Sequence, residues 1–568
     1  MPTVKPFYPS ETLLKLEFLI NNKNTGLDSL LKDATVHFEL NKISFAKFTF
    51  ISSKRDQKKQ EELPIDVLIK KPNDPFLNIE VKVGTQGKSE TLFKGIIKSL
   101  DTQEDNEQCI IKIECKDKGY NLTLPTKEVE NNNQTFEDKL TLFTKDLVLS
   151  DNLQGQGWGK ENITHNTSTP PWDYLIGYLD AVGMPVALRN GNFTGVDILK
   201  GKKEIAYMAE NGINVFSFSG KTDPQKIKTS VTIESWDIEK QETQKVTSTN
   251  ANPEKGLDNN HVIKLAHPVS KATEDRVTEA GVERSNIAYI QGKVTTFGNL
   301  TAKAGDYIGF NKVNPSIDTT DETSRPLLIT QETHNIEGGC WKTEYAFGLE
   351  SDKPFTQNTT PGSNNGHAEV GQSNKVNGLQ IGVVTQIVED PNNQFRIKVR
   401  MPLLSEKGEG VWARLATLNA SNEMGSYFIP NIGDEVIVGC LGNNPDAPII
   451  LGSLYSSTKA MPFPIKEENY LRGFVTKEGT KIIMDDEKKS IEISTKKGNI
   501  LTISDDLKGF VLEDENKNKI TMNDQGITIE SCKDLNLKAK SNVKIEGIQI
   551  SGDASGIMEL KGSMINLN

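Results

Sequence analysis

From Ile482 to the end of the chain, short runs of alternating apolar and polar residues recur at regular intervals. Ile482 and Met484 begin the series, followed by Ile491 and Ile493, then Ile500, Leu501 and Ile503, then Val511 and Leu512. It continues through Ile520 and Met522, Ile527 and Ile529, Leu535 and Leu537, Val543 and Ile545, and Ile548 and Ile550. Polar turns such as DEKK, TKKGN, NDQG and SGDAS separate the runs. Alternation with period two places the apolar side chains of a strand on one face. A ribbon of such strands is too thin to cover that face by itself, because each repeat needs a neighbour to bury it. Two arrangements would cover it. The ribbon could coil on itself as a single-chain β-solenoid, or three copies could wind together as a triangular β-prism. Roughly ten strands at a spacing of ~4.7 Å would make a rod on the order of 40–50 Å long.

The segment Gly378–Tyr455 is the second strong constraint. Val383–Val388, Phe395–Val399, Val411–Ala416, Glu435–Cys440 and Pro448–Tyr455 are short β-rich runs. Turns rich in Gly, Asn, Asp and Pro, such as Glu389–Asn393, divide them. The pattern predicts a small closed five-stranded barrel of the OB kind.

Upstream, Leu14–Phe18, Phe45–Phe50, Ile65–Ile69, Ile79–Val83, Leu92–Leu100 and Cys109–Cys115 predict strands. Asn214–Ser219, Thr229–Asp237, Ala288–Thr295 and Leu327–His334 predict a second set. Between the two sets, Thr169-Pro170-Pro171-Trp172 reads as a Thr-capped helix start. Trp172, Leu175, Ile176, Leu179 and Val182 follow at helical spacing, and Gly183 reads as the left-handed stop. Thr247–Glu283 is polar and weakly patterned, which predicts a long loop or small insertion. Residues 353–375 read as a linker. The expected class is mainly β.

The ordered motifs WARL, P-x-x-GDEVIVG and GNNPDAPIILGSLY resemble the OB module of VgrG-type spike proteins of contractile injection systems. LFKGIIKSL with IIKIECKDKGYNLTLPTKEV, WDYLIGYLDAVGMPVALRNGNF, and THNIEGGCWKTEYAFGLES resemble segments of the hub of that family. The resemblance implies a first hub barrel over 1–125, a helix-containing insertion over 126–204 and a second hub barrel over 205–352. A linker (353–375), an OB neck (376–457) and a needle (458–568) would follow. It selects the trimeric prism over the solenoid. In this reading Trp412, Arg414, Gly433, Asp434, Glu435, Val436 and Gly452 are structural parts of the OB module. Ile520, Met522, Ile527, Ile529, Leu535, Leu537, Val543 and Ile545 form the trimer core of the needle, and Met564, Ile565 and Leu567 meet a tip cap. The implied partners are two further copies of the chain, an inner tube protein, baseplate proteins, a PAAR-type tip protein and effector cargo. The target membrane would be contacted mechanically.

The sequence carries no recognised catalytic, nucleotide-binding or metal-binding motif. The six histidines form no H-x-x-x-H pair, the five cysteines no C-x-x-C pair, and no nucleophile elbow or phosphate loop appears. No enzymatic activity, metal or cofactor is expected, and the five thiols are expected to be reduced and buried. A net charge of -11 disfavours nucleic acid as a partner. No basic region leads into an apolar core at the N-terminus, so synthesis in the cytoplasm without a signal peptide is expected, with delivery through the injection particle. The short Ser456–Leu471 interval leaves no room for an inserted lysozyme, and no effector domain is expected beyond the needle. A cell-wall-degrading spike and a receptor-binding fibre are the alternative functions.

Overall fold

The computed structural model describes residues 15–53, 68, 77–85, 88–104, 108–124, 134–160, 162–165, 169–200, 203–251, 258–265, 269–314, 317–319, 326–349, 376–405 and 408–566. The linker at 353–375 and, apart from Leu68, the strand expected at Ile65–Ile69 lie outside the described residues. Strand accounts for 44% of the chain and helix for 13%, so the mainly β expectation holds. The chain divides into two units, Met1–Leu454 and Tyr455–Asn568.

A 13-stranded sheet dominates the first unit. Its N-terminal part holds Lys15–Ile20, Leu31–Glu39, Phe45–Ser53, Asn78–Thr85, Lys88–Glu104 and Gln108–Lys116. Alternate residues point into one core, as in Lys15–Ile20, where Leu16, Phe18 and Ile20 are buried. Phe18 meets Phe48 and Phe50 edge-on at 5.2 and 5.3 Å, the geometry that aromatic quadrupoles prefer. The later part holds Val215–Thr222, Ile290–Phe297, Leu327–Glu337 and Cys340–Phe347, with Tyr307–Asn311 and Ile205–Glu210 to one side. Phe218, Phe310 and Phe347 pack in its separate core.

Two cores therefore share one sheet. Leu327–Glu337 pairs antiparallel with Leu31–Glu39, from Gln331 opposite Glu39 to Glu337 opposite Asp33. A buried polar network sits on this seam. His334 Nε2 lies 2.6 Å from Glu332 Oε1, and Arg189 donates to Glu332 Oε2 at 2.6 Å. Glu332 and His334 are fully buried. Burial pushes the Glu332 carboxyl up, but Arg189 and His334 outweigh it and hold its pKa below the usual carboxylate value.

Among the described residues, three α-helices longer than a single turn pack against the strands. Helix α1 (Phe136–Phe143) starts with a capping box, in which Thr135 and Asp138 bond to each other's backbone N–H. Helix α2 is Pro171–Ala181. Its N-cap is Pro170 and not the expected Thr169, with Pro171 as the first helical residue. Gly183, at φ 77°, ends it. The N–H of Met184 reaches Leu179 O at 2.8 Å and that of Gly183 reaches Asp180 O at 3.1 Å, a Schellman closure.

Helix α3 (Lys271–Ala288) and the strand Asn260–Lys264 occupy much of the region read as a long loop or small insertion. The side of α3 turned inward is mixed: Thr273, Glu274, Thr278, Arg284 and Ser285 are buried alongside Val277, Ala280, Val282 and Ala288. Arg284 pairs with the buried Asp180 of α2 at 3.0 Å. Asn41, in the turn before Phe45–Ser53, donates to Asp180 at 2.7 Å, so one carboxylate joins sheet, α2 and α3.

A further core of this unit lies in a closed barrel of Gln380–Gln386, Ile397–Arg400, Val411–Leu415, Pro448–Ser453 and Glu435–Cys440, in that spatial order. Parallel pairing of Val411–Leu415 with Pro448–Ser453 closes it. It is the one closed ladder among the described residues. The turn between the first two strands is built on Asp390, which accepts from the N–H groups of Asn392, Gln394 and Arg396 and from the Arg396 guanidinium at 2.7 Å. Burial raises the Asp390 pKa, but the Arg396 side chain leads the hydrogen bonds that hold it far below the usual range.

The second unit contains a seven-stranded antiparallel meander: Leu471–Val475, Lys481–Asp485, Ser490–Ser494, Ile500–Ser504, Gly509–Glu513, Lys519–Asn523 and Gly526–Glu530. Leu471, Ser490 and Gly509 begin successive two-strand units at equal intervals. The turns along one edge are related, since Thr476, Thr495 and Asp514 each donate their N–H to the residue four positions on. Beyond Glu530 no strand is formed among the described residues. Roughly ten strands were expected.

The depressed Glu332 pKa has a consequence for acid stability. A carboxylate with a lowered folded pKa stabilises the fold fully above its unfolded value, near ~4.3, and loses that contribution as pH falls through the folded value. Glu332→Gln should cost about 3 kcal/mol or more at pH 7, because Arg189 loses its buried partner. Unfolding of the hub, followed by circular dichroism at pH 7 and at acid pH, should show a smaller acid-induced loss in Glu332→Gln than in the parent chain.

Candidate functional site

The described residues offer one alignment that superficially suits catalysis. Glu332, His334 and the Thr343 hydroxyl follow one another, with His334 Nδ1 at 2.9 Å from Thr343 Oγ1. All three side chains are fully buried, and Trp341 Nε1 also donates to His334 Nδ1 at 3.3 Å. The alignment locks strands together and cannot meet a substrate. Among the described residues no group of three His, Cys, Asp or Glu side chains is placed to hold a metal.

The feature with functional content is the apolar face of the meander. Its ladder puts two rows of side chains side by side. One row runs Phe474, Ile482, Ile493, Leu501, Leu512, Ile520 and Ile529, each opposite the next. The other runs Met484, Ile491, Ile503, Phe510, Met522 and Ile527. The pairs lie within cross-strand contact range, so the two rows form one stripe from the first strand to the last. Among the described residues little covers it. Ile491, Ile503 and Ile527 expose 43%, 48% and 65% of their surface. A stripe of that length exceeds what a soluble monomer ordinarily shows to water.

Two sequence expectations shift by one residue here. Val511 and Ile500 were grouped with the apolar series, but they lie on the opposite face. Phe510 and Leu501 take the inner places, because Phe510 stands opposite Ile503 and Leu501 opposite Ile493. The opposite face is otherwise mostly polar, with Glu492, Thr502, Thr521 and Thr528 in register. At its turns Lys508 meets Asp524 at 2.7 Å and Lys517 meets Glu513 at 2.8 Å. The Asn518 side chain, with the N–H groups of Asn516 and Asn518, holds the Asp514 carboxyl below its usual value and fixes the turn.

Of the residues assigned to the needle core, Ile520 and Ile529 are ladder partners, as are Met522 and Ile527. Leu535, Leu537, Val543 and Ile545 lie beyond the last strand, and all are more than half exposed. Met564 and Ile565 are exposed, and Leu567 lies outside the described residues.

The barrel residues separate differently. Val436 is fully buried, beside Val438, Val399, Ala413 and Ile450. Gly433 supplies the left-handed turn at φ 84° before Asp434 and Glu435, whose strand pairs with Gln380–Gln386. Gly452 stands opposite Ile437. Trp412 lies on the strand Val411–Leu415. It is half-buried, and Arg414 is exposed. Period two explains this: Ala413 takes the inward place, so its neighbours point out, and Lys398 Nζ lies over the Trp412 ring at 5.6 Å. The cysteines divide too. Cys115 is buried, Cys109 and Cys440 are half-buried, and Cys340 and Cys532 are exposed, contrary to expectation for the last two.

Comparisons with known proteins fit this arrangement. Residues 10–314, more than half of the chain, match the Alg8 N-terminal domain. Residues 380–455 match the type VI secretion system and phage-baseplate injector OB domain. Residues 490–568 match the phage baseplate V C-terminal trimerisation domain, which implies a homotrimer. The chain belongs to the VgrG-like spike proteins of type VI secretion systems and phage baseplates. The type VI spike protein VgrG3 of Vibrio cholerae is 36% identical over 80 residues, which is 13% of this chain and 8% of that protein. VgrG1a of Pseudomonas aeruginosa is 38% identical over 61 residues, 11% of this chain and 10% of that protein. The chain thus matches only about a tenth of the length of these relatives. A chain of the half-lidded Francisella PdpA–VgrG complex shares the fold with a TM-score of 0.54 at 11% identity, over 92% of this chain and 88% of that one.

The inward and outward places in the barrel predict unequal stability effects. Ile450→Ala should cost about 2–5 kcal/mol, the usual range for a buried aliphatic side chain. Trp412→Ala should fall short of the ~3–5 kcal/mol typical of a fully buried indole. Hydrogen exchange of the barrel strands in each variant checks the order, and a larger loss for Trp412→Ala would contradict it.

Proposed function

We propose that this chain is the structural spike of a contractile injection machine. Three copies wind together through their C-terminal ribbons, so that each apolar stripe is covered by the other two. In this reading the sheet-rich N-terminal part, 1–352 with its insertion at 126–204, is the hub that meets the inner tube and baseplate. The barrel at 376–457 is the neck, and 458–568 is the needle that breaches a membrane mechanically. The two apolar rows carry the reading: a long, straight, one-faced stripe suits burial on a threefold axis and suits no small ligand. Stiffness would come from the continuous ladder and from the loss of free sheet edges on closure. The same logic extends to the far end, where exposed Met564 and Ile565 would receive a PAAR-type cap or effector cargo. Among the described residues no helix is long and apolar enough to cross a membrane.

A charge on the stripe tests this. Ile529→Asp would bring three carboxylates together in an apolar axis without partners, at a cost no trimer of this size easily absorbs. Native mass spectrometry of the full chain should then find monomer, with the strand signal of the hub retained. A fully trimeric Ile529→Asp chain would count against the reading. For the tip, removal of Gly562–Asn568 should abolish capture of the cap protein and leave hub assembly intact. Retention of the cap by the shortened chain would place that contact elsewhere.

A further inference from the structure

The barrel carries an arm that its own chain leaves almost wholly exposed. It departs after Leu415 and returns at Glu435. A small hairpin holds it, pairing Ala420 with Gly425 and Ser421 with Met424. The Ser426 N–H also reaches Asn419 O at 2.9 Å, and the Thr417 and Ser426 hydroxyls bond to each other. The arm thus has a definite backbone, yet from Thr417 to Ile432 only Pro430 is buried. Leu418 is 94% exposed and Tyr427 86%, with Met424 and Ile432 above 60%. Glu423 is the single charged residue in this stretch, in a chain that is 25% charged. Ordered, apolar and nearly uncharged surface of this kind is the composition of an interface core.

We propose that this arm packs against a second copy of the same chain and forms a neck contact separate from the ribbon. The proposal rests on the trimeric reading above. Its partner follows from chain connectivity. The last barrel strand ends at Ser453 and the first ribbon strand begins at Leu471. At no more than about 3.6 Å per residue, that short connection keeps three barrels within reach of one another once three ribbons are joined. Each copy then brings the same uncharged arm to the same neighbourhood. The scarcity of charge also disfavours a polyanion or a lipid headgroup layer as occupant, since either would be met by basic residues.

The test uses the full chain with a photoreactive phenylalanine analogue in place of Tyr427. Half of the material is isotopically labelled, and the mass of the assembly is measured in the same sample. The expected result is a covalent product between a labelled and an unlabelled copy. In parallel, Leu418→Glu combined with Tyr427→Glu should weaken trimer assembly about tenfold or more, as loss of buried anchors does. Cross-links confined to one copy, cross-links only to another protein, or none in a sample that is trimeric, would overturn the arm contact and leave the trimer standing. A monomeric parent chain would overturn the trimer and the arm contact together. If the double variant fails to fold, the cross-link alone decides.

Discussion

The antiparallel ladder from Leu471 to Glu530 satisfies its backbone hydrogen bonds strand by strand but leaves one face apolar and uncovered. That imbalance governs the rest of the molecule. Each strand of five residues is too short to fold over the stripe, and the equal two-strand units give the meander no feature that would cap it. At roughly 25 cal/mol per Å² of apolar surface, covering the stripe is the largest favourable step still open to the chain. The same rows that make a lone copy unsatisfied make several copies mutually complementary, which is why a trimerisation domain over 490–568 is physically sensible.

The first unit solves a different problem. It holds two large β cores, a group of helices and a barrel in one unit. It does so with buried ionic joints at places where elements distant in sequence meet. Glu332 ties the seam between early and late strands to Arg189, and Asp180 ties α2 to Arg284 of α3 and to Asn41. The barrel is pinned in a similar way, since Asp446 accepts from the Thr164 N–H of the insertion at 2.9 Å. Such joints contribute less to net stability than their geometry suggests, because burying the charges is costly. Their value lies in register: each admits one arrangement of the elements it connects.

How much of this was legible in the sequence depends on where the apolar residues fall. The barrel strands, α2 and the ribbon were readable because each carries an apolar face at the correct period. Helix α3 was not, because its inward face mixes Val277, Ala280, Val282 and Ala288 with Thr273, Glu274, Thr278, Arg284 and Ser285, which blurs the hydrophobic period. The direction of Trp412 is equally hard to read from local sequence. A large aromatic invites a buried assignment, yet the small Ala413 next to it takes the inward place. In the ribbon, adjacent apolar pairs such as Phe510–Val511 and Ile500–Leu501 leave the inner residue undefined until the cross-strand register is known. The joining of two cores on one sheet depends on the pairing of Leu327–Glu337 with Leu31–Glu39, a contact too distant in sequence for any local pattern to reveal.

The mass of the intact, unmodified chain in dilute solution tests the central claim most directly. Sedimentation equilibrium should return three times the chain mass of 62.8 kDa, independent of concentration across the micromolar range. A well-folded species at 62.8 kDa, with the ribbon strands protected from hydrogen exchange, would mean that a single chain covers its own stripe and would contradict the account.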